Sequence, residues 1–392
     1  MGVMAAGGLL ERDAALDTLA GAVRTAAQRR GSAALVTGEA GIGKTTVVRA
    51  FVERMGERAR VLAGACDDLV TPRALGPLRD AAAGTRGPLE ATLTTGGGEG
   101  VFGAVVAELT GPAPTVLLVE DLHWADDATL DVLGYLARRL AGLPAVVVLT
   151  YRDDSVPVGH PVHRLLGALA GCPVHRLALD PLSASAVEAL ACGSGWDAAA
   201  LRELTGGNPF YLTEALAAPG AEVPATVADA VLARTRRLRQ RCREAVEQLS
   251  VVPTPVEFEL AEALLGDRLD ALAEAEEHGI LEVRAGADGR GGLAFRHELA
   301  RRAVERGLPR LTRRGLHRAV VAALRAQPAP DLARLVHHAV QADDAQTVSR
   351  VAPRAGREAA AAGAHREALA HFGAALRQAH RLDRAELARV VD

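Results

Sequence analysis

The 392 residues predict an α/β domain, a parallel sheet with helices on both faces, followed by a second half built mainly of helices. Three observations predict it. From Ser32 to Leu179 short apolar runs alternate with amphipathic stretches, the pattern of repeated βα units. The first of those runs opens into a glycine-rich turn that leads into a helix. After Asp180-Pro181-Leu182 the apolar runs stop, and alanine- and arginine-rich helical patterns take over. The composition, 49% hydrophobic, 24% charged and 3% aromatic, is that of a globular chain, and the length suits two to four domains. A formal net charge of −3 gives no footprint of a constitutive nucleic-acid binder. The four cysteines lie far apart without a CxxC spacing, so they suit a reducing compartment and offer no metal site. The longest apolar runs, Val116–Val119 and Ala145–Leu149, are too short to cross a bilayer, and Met1–Leu10 lacks the pattern of a secretion signal. The expectation is a cytoplasmic chain with no membrane partner.

Taken in order, a helix over Glu11–Arg30 precedes a buried strand, Ser32–Thr37. Gly38-Glu39-Ala40-Gly41-Ile42-Gly43-Lys44-Thr45 follows, fits GxxxxGK[ST], and enters a helix at Thr45-Thr46 that Gly56 closes. Glycines let consecutive N–H groups turn toward phosphates, and the helix adds the positive end of its dipole. Lys44 would reach the β- and γ-phosphates, and the Thr45 hydroxyl would ligate Mg²⁺. Lys44 is the single lysine in a chain whose other basic residues are all arginine. Arginine replaces lysine wherever charge alone is needed, but its planar fork does not substitute for a compact ammonium in a phosphate cradle. The bland alternative is a glycine turn.

A strand over Arg60–Cys66, helices near Leu75–Gly84 and Gly100–Leu109, and a Gly/Thr-rich mobile loop over Thr92–Gly100 come next. Thr115–Val119 then reads as a central strand with Glu120 and Asp121 at its carboxyl end, where open α/β sheets place ligands. One carboxylate would hold the Mg²⁺ shell and the other would orient or deprotonate a water; the alternative is that both cap the following helix, Asp126–Leu140. Strand Ala145–Tyr151 ends at Arg152, which either senses a γ-phosphate or pairs with a surface carboxylate. Helix Pro161–Gly171 and strand Val174–Leu179 complete residues 1–180 as the nucleotide-binding domain.

Residues 181–223 read as a small helical lid, helices Ser183–Cys192 and Asp197–Thr205 closed by the turn Gly206-Gly207-Asn208-Pro209-Phe210. Within 224–327, three helices (Ala225–Leu249, Glu257–Leu265, Arg268–His278) and two short strands (Ile280–Val283, Leu293–Phe295) resemble a winged helix. Arg234, Arg236, Arg237, Arg239, Arg241 and Arg243 invite a DNA-binding reading, but Val227, Val231, Leu238, Cys242, Ala245 and Leu249 make an apolar stripe that leaves them as a solvated face or docked on acidic groups. Residues 328–392 read as the start of an α-helical repeat region. There His365–Phe372 looks like the first helix of a tetratricopeptide-type hairpin, and His337 and His338 have packing or surface roles. Barely two such hairpins fit before Asp392, so the natural protein is expected to continue.

Leu9–Asp13, the phosphate loop, Thr71–Leu78, Glu120–Asp126, Gly206–Phe210 and Phe295–Leu299 occur in that order and together resemble the large ATP-binding regulators of the LuxR family, members of the STAND class of signalling ATPases related to AAA+ proteins. The resemblance implies a P-loop NTPase domain, helical lid, winged helix and sensor solenoid, with a DNA-reading helix-turn-helix beyond this chain. It implies ATP or ADP with Mg²⁺ as cofactors and an unknown inducer as partner. An ADP-bound closed form would give way to a self-associating ATP form, with slow hydrolysis as reset. It also implies that Arg12 lies by the adenine, that Pro209 packs on the adenine from the lid, and that His297 reaches the phosphates; the alternative for His297 is a helix cap. Glu120 stands where the family usually has aspartate, which changes the reach to Mg²⁺ by one methylene. The rival reading is an AAA+ DNA-binding ATPase related to replication initiators. A small-molecule kinase fits worse, since no acceptor pocket is identifiable and the helical tail would have no role.

Overall fold

The computed structural model describes residues 4–5, 8–95, 100–217, 232, 234–253, 255–285 and 291–379. Five parallel strands, β1 (Ser32–Thr37), β2 (Arg60–Ala65), β3 (Thr115–Glu120), β4 (Ala145–Thr150) and β5 (Val174–Ala178), form one sheet in the order β2-β3-β4-β1-β5. The two-residue side-chain alternation of strands divides its core in two. Ala34, Val36, Val116, Leu118, Val146 and Val148 pack under α1 (Asp13–Ala26) and α2 (Lys44–Met55). Ala33, Leu35, Leu117, Val119, Val147 and Leu149 face α3 (Gly76–Ala82), α4 (Pro88–Thr95), α5 (Val101–Glu108), α6 (Asp127–Ala137) and α7 (Val162–Leu169). Both faces are covered, which is why β3 and β4 read as unbroken apolar runs. The carboxyl ends of β1, β3 and β4 all open on one edge.

The differences from expectation have local causes. The first helix is shorter than Glu11–Arg30 because Glu11 and Arg29 both take positive φ. Thr92–Thr95 belong to α4 rather than a loop: the hydroxyls of Thr92, Thr94 and Thr95 turn back onto carbonyls four residues earlier, and 96–99 lie outside the described residues. The lid helices α8 (Ala184–Ala191) and α9 (Ala198–Thr205) are joined by a third, α10 (Pro209–Ala217), because the turn at Gly206 and Gly207 places Pro209 at a helix start, where its missing N–H costs nothing.

Further on, Ala225–Leu249 is not one helix. Its part up to 231, with Val227 and Val231, lies outside the described residues; the chain then turns at Arg237–Arg239 and α11 spans Gln240–Ser250. Leu238, Cys242, Ala245 and Leu249 are buried as the stripe requires. Four of the arginines dock on acids: Arg234 on Glu214, Arg239 on Glu274, Arg241 on Asp267 and Arg243 on Glu247. Helix α12 (Phe258–Leu265) leads into a 3-10 stretch, Gly266–Leu272, and short α13 (Ala273–Glu277), where a single helix was expected. A two-residue strand directly after Pro255, β6 (Val256–Glu257), joins β7 (Leu281–Ala285) and β8 (Gly291–Phe295) in an antiparallel sheet ordered β6-β8-β7; residues 286–290 lie outside the described residues.

The carboxyl-terminal region is helical: α14 (Glu298–Gly307), α15 (Arg310–Ala326), α16 (Leu332–Gln341), α17 (Ala345–Ala361) and α18 (His365–Ala379). Rather than only opening a new hairpin, α18 packs back on α17, where a Cβ at Gly356 would lie 2.7 Å from the Phe372 ring. Ala359, Ala364 and Ala368 join the apolar cluster on one face of the parallel sheet, and Arg366 bridges to Asp127 at 3.4 Å. His337 and His338 are packing residues: His337 Nδ1 accepts the Val70 N–H at 3.0 Å, and the Nδ1 atoms of His317 and His338 face each other at 2.9 Å.

Candidate functional site

The phosphate loop curls through three positive-φ glycines, Gly38 (136°), Gly41 (80°) and Gly43 (97°), which L side chains rarely adopt. Lys44, the first residue of α2, donates from Nζ to the carbonyls of Gly38 (2.7 Å) and Glu39 (2.8 Å). Burial, then the neighbouring Arg152, brings its pKa down to about 8. Thr45 Oγ1 donates to Glu120 Oε2 at 2.7 Å, so the longer carboxylate reaches the loop hydroxyl directly. Beside it Asp121 takes φ 54°, and its N–H donates to Thr150 Oγ1 at 3.0 Å, tying the ends of β3 and β4 together. Burial pushes the Asp121 carboxyl up to about 6 against the pull of Arg152. The helix-capping role belongs to Asp126, which accepts from Thr129 N–H, and not to Glu120 or Asp121.

Arg12 is buried and donates to the carbonyls of Asp180 (2.8 Å) and Ile42 (3.4 Å), bracing the loop against the chain leaving β5. Arg152 is buried as well, its guanidinium over the Trp124 ring at 5.1 Å from the centroid. The lid bonds straight to the loop: Asn208 Nδ2 donates to Ala40 O (3.0 Å) and Phe210 N–H to Gly41 O (3.2 Å), while Asn208 Oδ1 accepts from Phe210 N–H (3.1 Å). Gly41 has to be glycine twice over, since a Cβ there would lie 2.8 Å from Phe210 Cβ. His297 makes no side-chain cap on α14; its ring meets the Phe210 ring edge-on at 4.8 Å, and burial, with Arg296 adding to it, lowers its pKa to about 4.

One cavity of about 190 Å³ gathers these groups. Arg12, Gly41, Ile42, Gly43, Lys44, Thr45, Thr46, Glu120, Asp121, Arg152, Pro209 and His297 all line it. Gly38, Glu39 and Ala40 stand behind it, their carbonyls holding Lys44 and Asn208. Sequence reasoning quoted Asn208 and Trp124 only as motif letters and assigned them no contact; an asparagine between a glycine pair and a proline is the signal that pointed to the first. Among the described residues no group of three or more His, Cys, Asp or Glu is arranged to hold a metal ion. Mg²⁺ does not need one, because it takes one or two protein oxygens and completes its shell with phosphate and water, and the Thr45–Glu120 oxygen pair suits that demand.

Residues 8–149 match the family described as "AAA ATPase domain". The parallel sheet and its phosphate loop have an AAA+ P-loop NTPase fold. An uncharacterized protein of Rhizobium meliloti (strain 1021) is 29% identical over 230 residues, 54% of this chain and 22% of that protein. A STAND protein with a tetratricopeptide repeat sensor from Pyrococcus horikoshii shares the fold with a TM-score of 0.57 at 15% identity, over 94% of this chain and 59% of that one. The Aeropyrum pernix ORC1 protein, solved with DNA, matches at TM-score 0.38 and 16% identity over 76% of this chain and 93% of its own. The chain thus spans about a fifth of the curated relative's length. In this AAA+ setting no helix among the described residues is long and apolar enough to cross a membrane.

Proposed function

We propose that the chain is the nucleotide switch of a STAND-type transcriptional regulator of the LuxR kind, closed with ADP and opened by ATP and an inducer. In this reading 1–180 bind the nucleotide, 181–223 are the lid, 224–327 a winged helix, and 328–392 begin a tetratricopeptide-like sensor. Opening would allow self-association, and DNA would be met through a domain beyond this chain. The observation that carries the reading is the closure of one cavity by three segments far apart in sequence: the phosphate loop, Pro209–Phe210 and Phe295–Leu299. A ligand there changes the free energy of domain packing by whatever it contributes differently in the two states.

Lys44 and the loop N–H groups would hold the β- and γ-phosphates, with Thr45 and Glu120 on Mg²⁺. Arg12, Pro209 and Thr46 would line the nucleoside side, and His297 would approach the phosphates. The bound nucleotide and Mg²⁺ would supply the phosphoanhydride and its charge neutralisation. Asp121, ionised at neutral pH, is this chain's group for accepting a proton from water, and slow hydrolysis would serve as reset. Moving such a balance from 1:99 to 99:1 takes about 5.5 kcal/mol of differential binding. The test is the nucleotide that copurifies, followed by calorimetry with ADP and ATP in the presence of Mg²⁺. ADP retained by the parent and lost from Lys44→Ala is the expected result; no heat from either nucleotide on folded protein overturns it.

A further inference from the structure

We propose that Trp124 is a positioning residue that carries the state of the phosphate end of the cavity into the carboxyl-terminal part of the chain, through two arginines that share its indole. Arg152 lies over the ring at 5.1 Å from the centroid and Arg302, on α14, at 5.0 Å. The two guanidiniums differ in every other respect. Arg302 is held by carboxylates, Asp68 Oδ2 at 2.5 Å and Glu298 Oε1 at 3.1 Å. Arg152 is buried at the cavity wall, and among the described residues it makes no ion pair or side-chain hydrogen bond; it lies over the indole, in the field of the Asp121 carboxylate. A buried cation at a cavity wall that grips no carboxylate in a direct ion pair attracts an anion arriving from that cavity, even with the Asp121 carboxylate within its field.

The indole is an electron-rich surface that attracts each guanidinium. An anion that draws Arg152 away from the ring therefore changes what the ring offers Arg302. Because Arg302 also grips Asp68 beyond β2 and Glu298 at the start of α14, the change is felt across the joint between the sheet and α14. The inference rests on the nucleotide reading given above, and names the terminal phosphate as the anion and α14 as the receiver.

The chain has two tryptophans, so Trp196→Phe leaves Trp124 as sole reporter. In that background, Mg-ATP and Mg-ADP should give different emission at saturation. Adding Arg152→Ala should abolish the difference. Trp124→Leu in the parent should move the ATP:ADP affinity ratio to that of Arg152→Ala, with Trp124→Phe restoring part of it. Arg302→Ala should shift that ratio in the parent and leave it unmoved in the Trp124→Leu background. Equal emission with two nucleotides that calorimetry shows to bind, or a difference surviving Arg152→Ala, overturns the role of Trp124. Absence of binding by both nucleotides instead overturns the nucleotide reading beneath it.

Discussion

The lid meets the phosphate loop through hydrogen bonds to its backbone carbonyls, whereas α17 and α18 meet the same domain through methyl groups. At the first joint Asn208 and Phe210 bond to the carbonyls of Ala40 and Gly41, a few ångströms from Lys44. At the second, Ala359, Ala364 and Ala368 complete an apolar core that would otherwise face water, with ion pairs Arg366–Asp127 and Arg73–Asp331 at its rim. Directional bonds to a loop that holds a ligand depend on the geometry of that loop; apolar burial is non-directional and depends on area alone. On the proposed function, the lid joint is the one expected to respond to nucleotide, with the alanine seam as the fixed post against which it works.

The largest break in that comparison comes at the seam. Ala368→Asp places an unpaired charge in a core, at a cost of about 3–5 kcal/mol. Hydrogen exchange should show protection lost over α17 and α18 while ADP affinity stays within about threefold; a parallel collapse of ADP affinity would mean that the seam also senses nucleotide. At the lid joint, Asn208→Ala removes two hydrogen bonds, worth about 1–3 kcal/mol where a buried carbonyl is left unpaired. Titration calorimetry should find ADP bound roughly ten- to a hundredfold more weakly, with Tm of the ligand-free protein lowered by several degrees; unchanged ADP affinity would mean that this joint does not sense nucleotide.

The lid joint is also predicted to be the pH-sensitive one. Lys44 has its pKa lowered to about 8, and a bound polyphosphate favours its charged form. Affinity should be flat between about pH 7, above the titration of Asp121, and pH 8, and weaken by up to about tenfold per pH unit above that, since binding then requires proton uptake. Flat affinity to pH 10 would remove Lys44 as the phosphate contact. The smallest effect is expected away from both joints, from Arg164→Ala, which deletes an exposed pair with Asp131 and should lower stability in chemical denaturation by no more than about 1 kcal/mol.

The α/β half was legible because its signals are local. A glycine-rich turn after an apolar strand, a lone lysine, and an acidic pair ending a buried run each state their role within eight residues. The cavity's membership was legible for the same reason, as the positions of Thr45, Glu120 and Arg152 at one sheet edge demonstrate. What sequence did not show depends on tertiary partners. The strand Val256–Glu257 exists because Gly292 and Leu293 pair with it, not because two residues carry a pattern. Thr92–Thr95 looked like loop because threonine and glycine favour turns, yet α4 continues through them with hydroxyls bonded back to the backbone. Nothing in the spacing of Ala359, Ala364 and Ala368 says that they finish the core of a domain more than two hundred residues upstream.

A chain with one ε-amine in 392 residues, and that amine hydrogen-bonded inside the cavity, carries its own chemical gauge. Amine-selective acylating reagents have a single side-chain amine to modify besides the α-amine, and a lysine-specific protease has a single bond to cut. The rate at which either acts reports, without any added probe, how well the cradle around Lys44 is shielded.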